Sequence, residues 1–165
     1  MKSQLKVNDK LWKEIKAKLP QIDKVVVKTG IQSNAGENGG VSIAEYAAFN
    51  EFGTRTIPER PFMRKTFDDN ISNWNALTER LIKGILDNKI DVKSAFDLLG
   101  EKTENDMKDT ITSGNFEKNS DITINGGWMK SPSGKSFYVK GKGDKRPLID
   151  TGAMIKSIRY EVEGI

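Results

Sequence analysis

The sequence of 165 residues contains no cysteine and no histidine. Without cysteine, the chain has no disulfide, no thiolate nucleophile and no cysteine-ligated zinc. Without histidine, it lacks the commonest general base near neutral pH, the Ser-His-Asp arrangement and most transition-metal sites. The side chains left for chemistry are carboxylates, lysines, tyrosines and hydroxyls, and we expect no cofactor.

Long hydrophobic runs are also missing. The N-terminal stretch MKSQLKVNDKLWKEIKAKLP has no apolar core of signal-peptide length, and no segment is apolar enough to span a bilayer. We therefore expect no membrane partner. We expect the chain to be made and kept in a cytoplasm until it joins something larger.

The residues that are present predict one domain over residues 1–165 with a modest core. Apolar residues make up 36% of the chain and charged residues 30%, which favours a small core and long solvated helices. The net charge of +4 permits a nucleic-acid partner without requiring one. Because the cations are interleaved with acids, a uniformly solvated surface is the favoured interpretation.

Apolar spacing predicts helices over residues 8–19, 42–53, 61–88 and 91–112, and strands over 23–31, 136–140 and 157–163. The first helix is expected to have Asn8 or Asp9 as its cap and to end before Pro20. Its expected buried stripe is Leu11, Trp12, Ile15 and Leu19. Residues 32–40 and 113–135 are rich in turn residues and are expected to be flexible loops.

The second helix begins with a capping-box pattern, Ser42 followed by Glu45, and little of it is polar, so we expect it to be enclosed on most sides. The next two helices each carry one apolar face and are joined by a short connection. The predicted fold class is α+β. A long antiparallel helical hairpin packs on a small, mostly antiparallel sheet, with mobile loops.

The stretch RPLIDTGAMI resembles the active-site segment of retroviral-type aspartic proteases. Such an enzyme needs two aspartates that share one proton, and a nearly all-strand fold around them. Only 13 residues follow Gly152, and long helices precede it. We therefore interpret Asp150 or Thr151 as the cap of a short helix, and we expect the protein not to be an enzyme.

Two segments resemble one known family. AEYAAFNEFGTRTIPERPFMRKTF resembles a segment of tailed-bacteriophage neck and tail-completion proteins that reads roughly A-x-x-A-x-x-[HN]-E-F-G-T… I-P-x-R-P-F-[LM]-R. PLIDTGAMIKSI resembles their C-terminal signature, P-L-I-D-T-G-x-[LM]-x-x-S-I. This pattern runs through virion-morphogenesis proteins of Mu-like phages and minor tail components of lambda-like siphophages. Residues 126–145 depart from it and are interpreted in part as an insertion.

The resemblance implies a structural protein of the virion neck, assembled in the host cytoplasm into a ring that is expected to be six-fold. The implied partners are other copies of the chain, a tail-terminator or tail-tube protein, a head-completion or connector protein, and DNA in the channel. The residues that carry the motifs are Glu51, Phe52, Gly53, Arg60, Pro61, Phe62, Arg64, Asp150, Thr151 and Gly152.

The physical interpretation of the first motif is architectural. Glu51 with Arg60 and Arg64 can lock the proline connector against the short helix through charge-assisted hydrogen bonds. Alternatively, the two arginines contact a neighbouring subunit. Gly53 supplies the turn, and Phe52, Phe62 and Phe67 are expected to form an apolar anchor.

The turn from Lys140 to Arg146 carries four cations in seven residues. It can meet DNA phosphates or be a solvated turn. If a ring forms, the candidates for a surface near DNA are Lys140, Lys142, Lys145 and Arg146. The alternative function, from a different class, is a small basic nucleic-acid-binding module that uses this same turn.

Overall fold

The computed structural model describes residues 9–131 and 133–165. Its helices are α1 (Asp9–Ile22), α2 (Ile43–Phe52), α3 (Phe62–Leu86), α4 (Val92–Ser113), α5 (Asp121–Asn125) and α6 (Ala153–Lys156). Its strands are β1 (Val26–Ile31), β2 (Glu37–Asn38), β3 (Val41–Ser42), β4 (Gly127–Lys130), β5 (Ser136–Val139) and β6 (Ile158–Glu163).

The predicted α+β class is confirmed, and the two long helices α3 and α4 pack together. The strands pair in twos, β1 with β6, β2 with β3 and β4 with β5. The one small sheet that we expected is therefore replaced, in the described chain, by three separate two-stranded sheets.

The chain divides into two compact units, each with its own core. Unit 1 comprises the chain up to Thr29, Asp69–Asn105 and Tyr160–Ile165. Unit 2 comprises Gly30–Asp68 and Asp106–Arg159. The two sequence motifs that carry the family resemblance lie within unit 2.

Unit 1 is built on the apolar faces of α3 and α4. Its buried residues are Ile85, Ala95, Phe96 and Leu99. Partly buried apolar residues surround them, and these are Ile22, Val25, Val27, Trp74, Leu77, Leu81, Ile90, Val92 and Val162. The helical spacing predicted this face because its residues recur every three or four positions.

Helix α1 departs from its prediction at its end and in its burial. Asn8, one of its expected caps, lies outside the described residues. The helix continues through Pro20, although proline there removes one amide hydrogen bond and crowds the carbonyl four residues earlier, and the next turn closes with Asp23 N donating to Leu19 O at 2.9 Å. Among Asp9–Ile22 no residue is buried, and Leu11, Trp12 and Leu19 are exposed, so the expected core stripe is wrong.

Unit 2 gathers its core from distant parts of the chain. The buried cluster consists of Ile43, Ala47, Phe62, Met107, Ile111, Phe116, Leu148, Ile149, Met154 and Ile158. Helix α2 and the start of α3 contribute the first three of these residues, and the segment around α6 contributes the last four. The two motifs are thus parts of a single hydrophobic core.

Helix α2 is buried on one side only, so the expectation that it is enclosed on most sides is wrong. Its buried residues are Ile43, Ala47, Asn50 and Glu51, whereas Phe49 and Phe52 are exposed. The capping box is also wrong, since the Ser42 side chain makes no capping hydrogen bond in the described structure. Two polar residues are buried here while two aromatic residues face solvent.

Both segments expected to be loops contain short regular elements. Within residues 32–40, β2 begins a small antiparallel hairpin with β3. Residues 113–135 contain α5 and β4, and β4 pairs antiparallel with β5. Pro132, in the same predicted loop, lies outside the described residues.

Candidate functional site

The connector between α2 and α3 is held by its own backbone. Thr54 N donates to Ile57 O at 2.8 Å, and Arg60 N donates to Asn50 O at 2.7 Å. Gly53 has a φ of 70°, and a Cβ there would lie 3.1 Å from Glu59 N, so the turn requires glycine. These bonds return the connector to α2 and aim the chain into α3.

The Glu51 carboxylate caps the start of α3. It is only 2% exposed, and its Oε2 accepts from Met63 N at 2.8 Å while its Oε1 accepts from Arg64 N at 3.1 Å. These amides belong to the first turn of α3, where backbone donors have no partner within the helix. A carboxylate at this position also faces the positive end of the helix dipole.

Arg64 completes the contact with α2. Its Nε donates to Glu51 Oε1 at 3.0 Å, and its Nη2 donates to Glu51 O and to Glu59 Oε1, each at 2.6 Å. The guanidinium lies 5.3 Å from the centre of the Phe52 ring. These bonds hold the pKa of Arg64 above its ordinary value, chiefly through the hydrogen bond to Glu51.

Arg60 is buried but does not pair with Glu51. Its Nε donates to Glu117 O at 2.7 Å, its Nη1 to Asn50 Oδ1 at 3.2 Å, and its Nη2 to Lys118 O at 3.1 Å. Burial lowers the pKa of this guanidinium. Arg60 therefore ties the connector to the segment after α4, which the sequence did not connect with the motif.

The expected aromatic anchor reduces to one residue. Phe62 is fully buried, whereas Phe52 is 69% exposed and Phe67 is also exposed. The prediction that all three phenylalanines pack inward is wrong. Pro61 directly precedes α3, and its carbonyl accepts from Lys65 N at 2.9 Å.

The second motif is buried at its apolar residues and exposed at Asp150 and Thr151. Leu148 and Ile149 are buried, and Leu148 has a φ of 63°, a left-handed conformation that costs free energy for a branched side chain. The chain therefore turns sharply just before Asp150. This turn delivers Met154 and Ile158 to the same core.

The expectation that Asp150 caps α6 is wrong. The residue at the cap position is Gly152, with a φ of 77°, and among the described residues the Asp150 carboxylate makes no capping bond. Thr151, the other candidate, accepts a long hydrogen bond of 3.3 Å from Ala153 N. The left-handed glycine places Asp150 too early in the turn to reach the free amides.

Half of the basic turn is engaged internally. Lys142 Nζ donates to Ile149 O at 2.6 Å and to Arg146 O at 2.9 Å, and burial lowers its pKa. Arg146 Nη2 pairs with Asp144 Oδ2 at 2.6 Å. Of the four candidates for a DNA-facing surface, Lys142 is thus bonded to two carbonyls, Arg146 is exposed but paired with Asp144, and Lys140 and Lys145 are exposed.

A cavity of about 750 Å³ opens between these two motifs. Its apolar lining includes Val41, Ile57, Pro58 and Leu148, and its charged lining includes Arg60, Glu117, Lys118, Asp121, Lys142 and Asp150. Tyr46 also lines it, and burial, with Asp150 nearby, raises the pKa of the Tyr46 phenol. In volume the cavity matches sites that hold small molecules or inserted side chains.

Other site types receive no support from the described chain. Within residues 9–131 and 133–165, no group of three or more acidic, histidine or cysteine residues is arranged to hold a metal ion. Among the same residues, no helix is long and apolar enough to cross a membrane. No protein-family model, curated protein or solved structure matches this chain.

The sequence missed two parts of this site. Asn50 and the carbonyls of Glu117 and Lys118 complete the environment of Arg60, across more than fifty residues of chain. The other missed part is β4, which pairs with β5, at the predicted strand 136–140, to form an exposed aromatic hairpin. Trp128, Phe137 and Tyr138 within an otherwise polar stretch were the available signal for that hairpin.

Proposed function

We propose that this chain is a structural protein of a tailed phage or prophage that acts at the neck, or at the head-proximal end of the tail. It completes the tail and joins it to the DNA-filled head, as a ring of identical copies. Its partners are a tail-terminator or tail-tube protein on one side and a head-completion or connector protein on the other. DNA in the channel is a further partner.

The observation that carries this proposal is the union of the two family-like motifs in one core. Ile43, Ala47 and Phe62 from the first motif pack with Leu148 and Ile149 from the second, although about 90 residues separate them. The apolar residues of the two family-like motifs are thereby explained by their packing in one core. Their buried polar residues, Glu51 and Arg60, serve as braces for that core.

The loss of the chain from an infecting phage tests this function. Cells infected with a phage in which the gene is interrupted are expected to accumulate filled heads and separate tails, visible by negative-stain electron microscopy. Supplying the wild-type chain from a plasmid restores joined particles. Normal particles in its absence would contradict the proposal.

The second candidate function is a small basic nucleic-acid-binding module. The observation that favours it is the exposure of Lys140 and Lys145 on the basic turn. With Lys142 and Arg146 engaged internally, two phosphate contacts predict a slope of about −2 for log affinity against log salt. DNA binding by the isolated monomer with this salt dependence, together with normal particles without the chain, favours this candidate over the neck protein.

A further inference from the structure

The hairpin formed by β4 and β5, called the aromatic hairpin below, exposes four large apolar side chains. Trp128 is 72% exposed, Tyr138 59%, Phe137 46% and Met129 41%. Trp128 lies opposite Tyr138, and Met129 lies opposite Phe137. Since side chains alternate along a strand, each pair covers one face of the hairpin. Both faces therefore present apolar groups to solvent.

The aromatic hairpin is hydrogen-bonded to α5 at its base, whereas its two strands are largely exposed. Gly126 and Gly141 approach so closely that a Cβ on Gly141 would lie 2.4 Å from Gly126 N. Lys142 N donates to Thr123 O and Gly143 N to Ile124 O, both at 3.0 Å, which ties the base to α5. Beyond the base, the hairpin has only two strands, and such ribbons are marginally stable in water unless something packs on them.

The charge of the aromatic hairpin limits what can cover it. Between Gly126 and Gly143 the sequence has four lysines and no acid, and three of them, Lys130, Lys135 and Lys140, lie in or beside the hairpin. Two hairpins packed on each other would bring six cations together, and like charges at close range oppose association. The surface that receives the hairpin should therefore be a different one, apolar and edged with acids.

The cavity of about 750 Å³ described above has these properties. Its wall includes Val41, Ile57 and Pro58, and the exposed acids Glu117, Asp121 and Asp150 line it. Of its three cations, Arg60 is buried and Lys142 is bonded to two carbonyls, which leaves Lys118 as the exposed cation. The lining as a whole is electrically balanced, but the charged groups exposed at its mouth are the three carboxylates and Lys118, so the hairpin lysines can pair with carboxylates there.

We propose that the aromatic hairpin of one copy of this chain docks into the cavity of a second copy. Aromatic side chains bury about 150–250 Å² each when they are fully covered. Four side chains already partly covered would add roughly 400–600 Å², more than half of the ~800 Å² that each partner contributes to a standard interface. The hairpin and the cavity rim together are therefore large enough for specific association.

The contact joins two different surfaces of the same chain, so it is head-to-tail. Each subunit has a free hairpin at one end of the contact and a free cavity at the other, and successive subunits close into a ring or extend into a filament. This inference rests on the proposed ring-forming function and assigns the surfaces that form the ring.

The first test compares one pair of aromatic substitutions in the hairpin with a single aromatic substitution elsewhere, by sedimentation velocity over a concentration series. Trp128→Ser with Tyr138→Ser is expected to weaken self-association at least about thirty-fold, as removal of central aromatic residues does at interfaces. Trp12→Ser is the matched control, because Trp12 is 51% exposed but lies on α1. Far-ultraviolet circular dichroism checks that each variant is folded.

The second test uses the head-to-tail geometry. A cavity variant, Asp121→Lys with Asp150→Lys, repels the hairpin lysines and is expected to stay monomeric alone, as is the hairpin variant. Mixed together, the two are expected to form one-to-one heterodimers and nothing larger, because only one intact contact remains. Lys130→Glu with Lys135→Glu is expected to restore association with the cavity variant.

Results of three kinds overturn the inference. The first is a wild-type chain that stays monomeric at the highest concentration at which it is soluble. The second is a mixture of the two variants that yields no heterodimer, or a Trp12→Ser loss equal to that of the hairpin variant. The third is a hairpin variant that associates normally but no longer binds a single-stranded oligonucleotide, which makes the hairpin a base-stacking surface instead.

These failures differ from a failure of the proposed function. If the hairpin variant supports joined particles when supplied to the gene-interrupted phage, the docking inference is wrong and the neck function stands. If the wild-type chain is not needed for joining, the function itself is wrong.

Discussion

Replacing Glu51 with alanine should destabilise unit 2 more than any substitution of a surface acid. The carboxylate is buried and satisfies two backbone amides of the first turn of α3, Met63 N and Arg64 N. Loss of a helix cap costs about 0.5–2 kcal/mol, and a partly buried donor left without its charged acceptor costs about 1–3 kcal/mol. We add nothing for the Arg64 side chain, because it is half exposed and can bind water instead.

Together these contributions predict a loss of about 3 kcal/mol in the free energy of unfolding for Glu51→Ala. In a chain of this size, that corresponds to a melting temperature lower by about 6–12 °C. Glu51→Gln keeps one acceptor oxygen but turns an amide N–H toward a backbone donor, so we expect about half of that loss. Thermal unfolding followed by circular dichroism measures both.

Glu59→Gln is the matched control. Glu59 also pairs with Arg64, at 2.6 Å, but its side chain is exposed, so its loss should be much smaller than that of either Glu51 variant. If Glu51→Ala lowers the melting temperature no more than Glu59→Gln does, the reasoning is refuted. The carboxylate would then be an incidental neighbour of α3 and not its cap.

Three further predictions follow from single contacts. Arg60→Lys should lower the free energy of unfolding, measured by urea denaturation, by about 2–4 kcal/mol, because one ammonium group cannot replace a guanidinium that bonds several acceptors. A loss within experimental error would contradict the role of Arg60 as a brace. Gly141→Ala should lower the hydrogen-exchange protection of the aromatic hairpin at least tenfold, because its Cβ would lie 2.4 Å from the backbone of Asn125, and unchanged protection would argue against that close approach. The pKa of Asp144, held at about 2 by Arg146, should rise toward 3.8 in Arg146→Gln, as measured by carboxyl NMR titration. Because this pKa is depressed in the fold, the ionised Asp144 stabilises the fold above about pH 3.8, and this contribution is lost as the pH falls toward 2. An unchanged pKa of Asp144 in Arg146→Gln would show that Arg146 is not the cause of the shift.

Periodicity predicted the parts of the fold that depend on local pattern. The apolar face of α3 from Trp74 to Ile85 and the alternation of Ile158, Tyr160 and Val162 in β6 both follow from residue spacing. The predicted start of α4, at residue 91, also differs from the observed start at Val92 by one residue. The Asp91 carboxylate accepts a hydrogen bond from Ser94 N at 3.0 Å just before the helix begins.

The site could be predicted only in part, because its decisive contacts are distant in sequence. The sequence placed Glu51 beside Arg64 correctly, since twelve residues of connector and turn separate them. Nothing local indicated that Arg60 would reach the carbonyls of Glu117 and Lys118. The burial of Asn50 in place of Phe52 has the same cause, because the connector returns over one face of α2 only.

Capping preferences misled where backbone conformation took precedence. Ser42 and Asp150 both precede short helices and are good cap residues, yet neither caps its helix in the described structure. In the second case the left-handed Leu148 and Gly152 set the path of the chain. A residue-type preference worth about 1 kcal/mol is easily outweighed by the burial of Leu148, Ile149 and Met154.

The central claim is that this chain is a structural part of the neck of a tailed phage. The most direct test is cryo-electron microscopy of purified particles of the phage proposed to encode it, combined with quantitative mass spectrometry of the same particles. The account predicts that the chain is present in a fixed number of copies, as a ring between the head and the tail tube. Purified, infectious particles that contain no copy of the chain would contradict it.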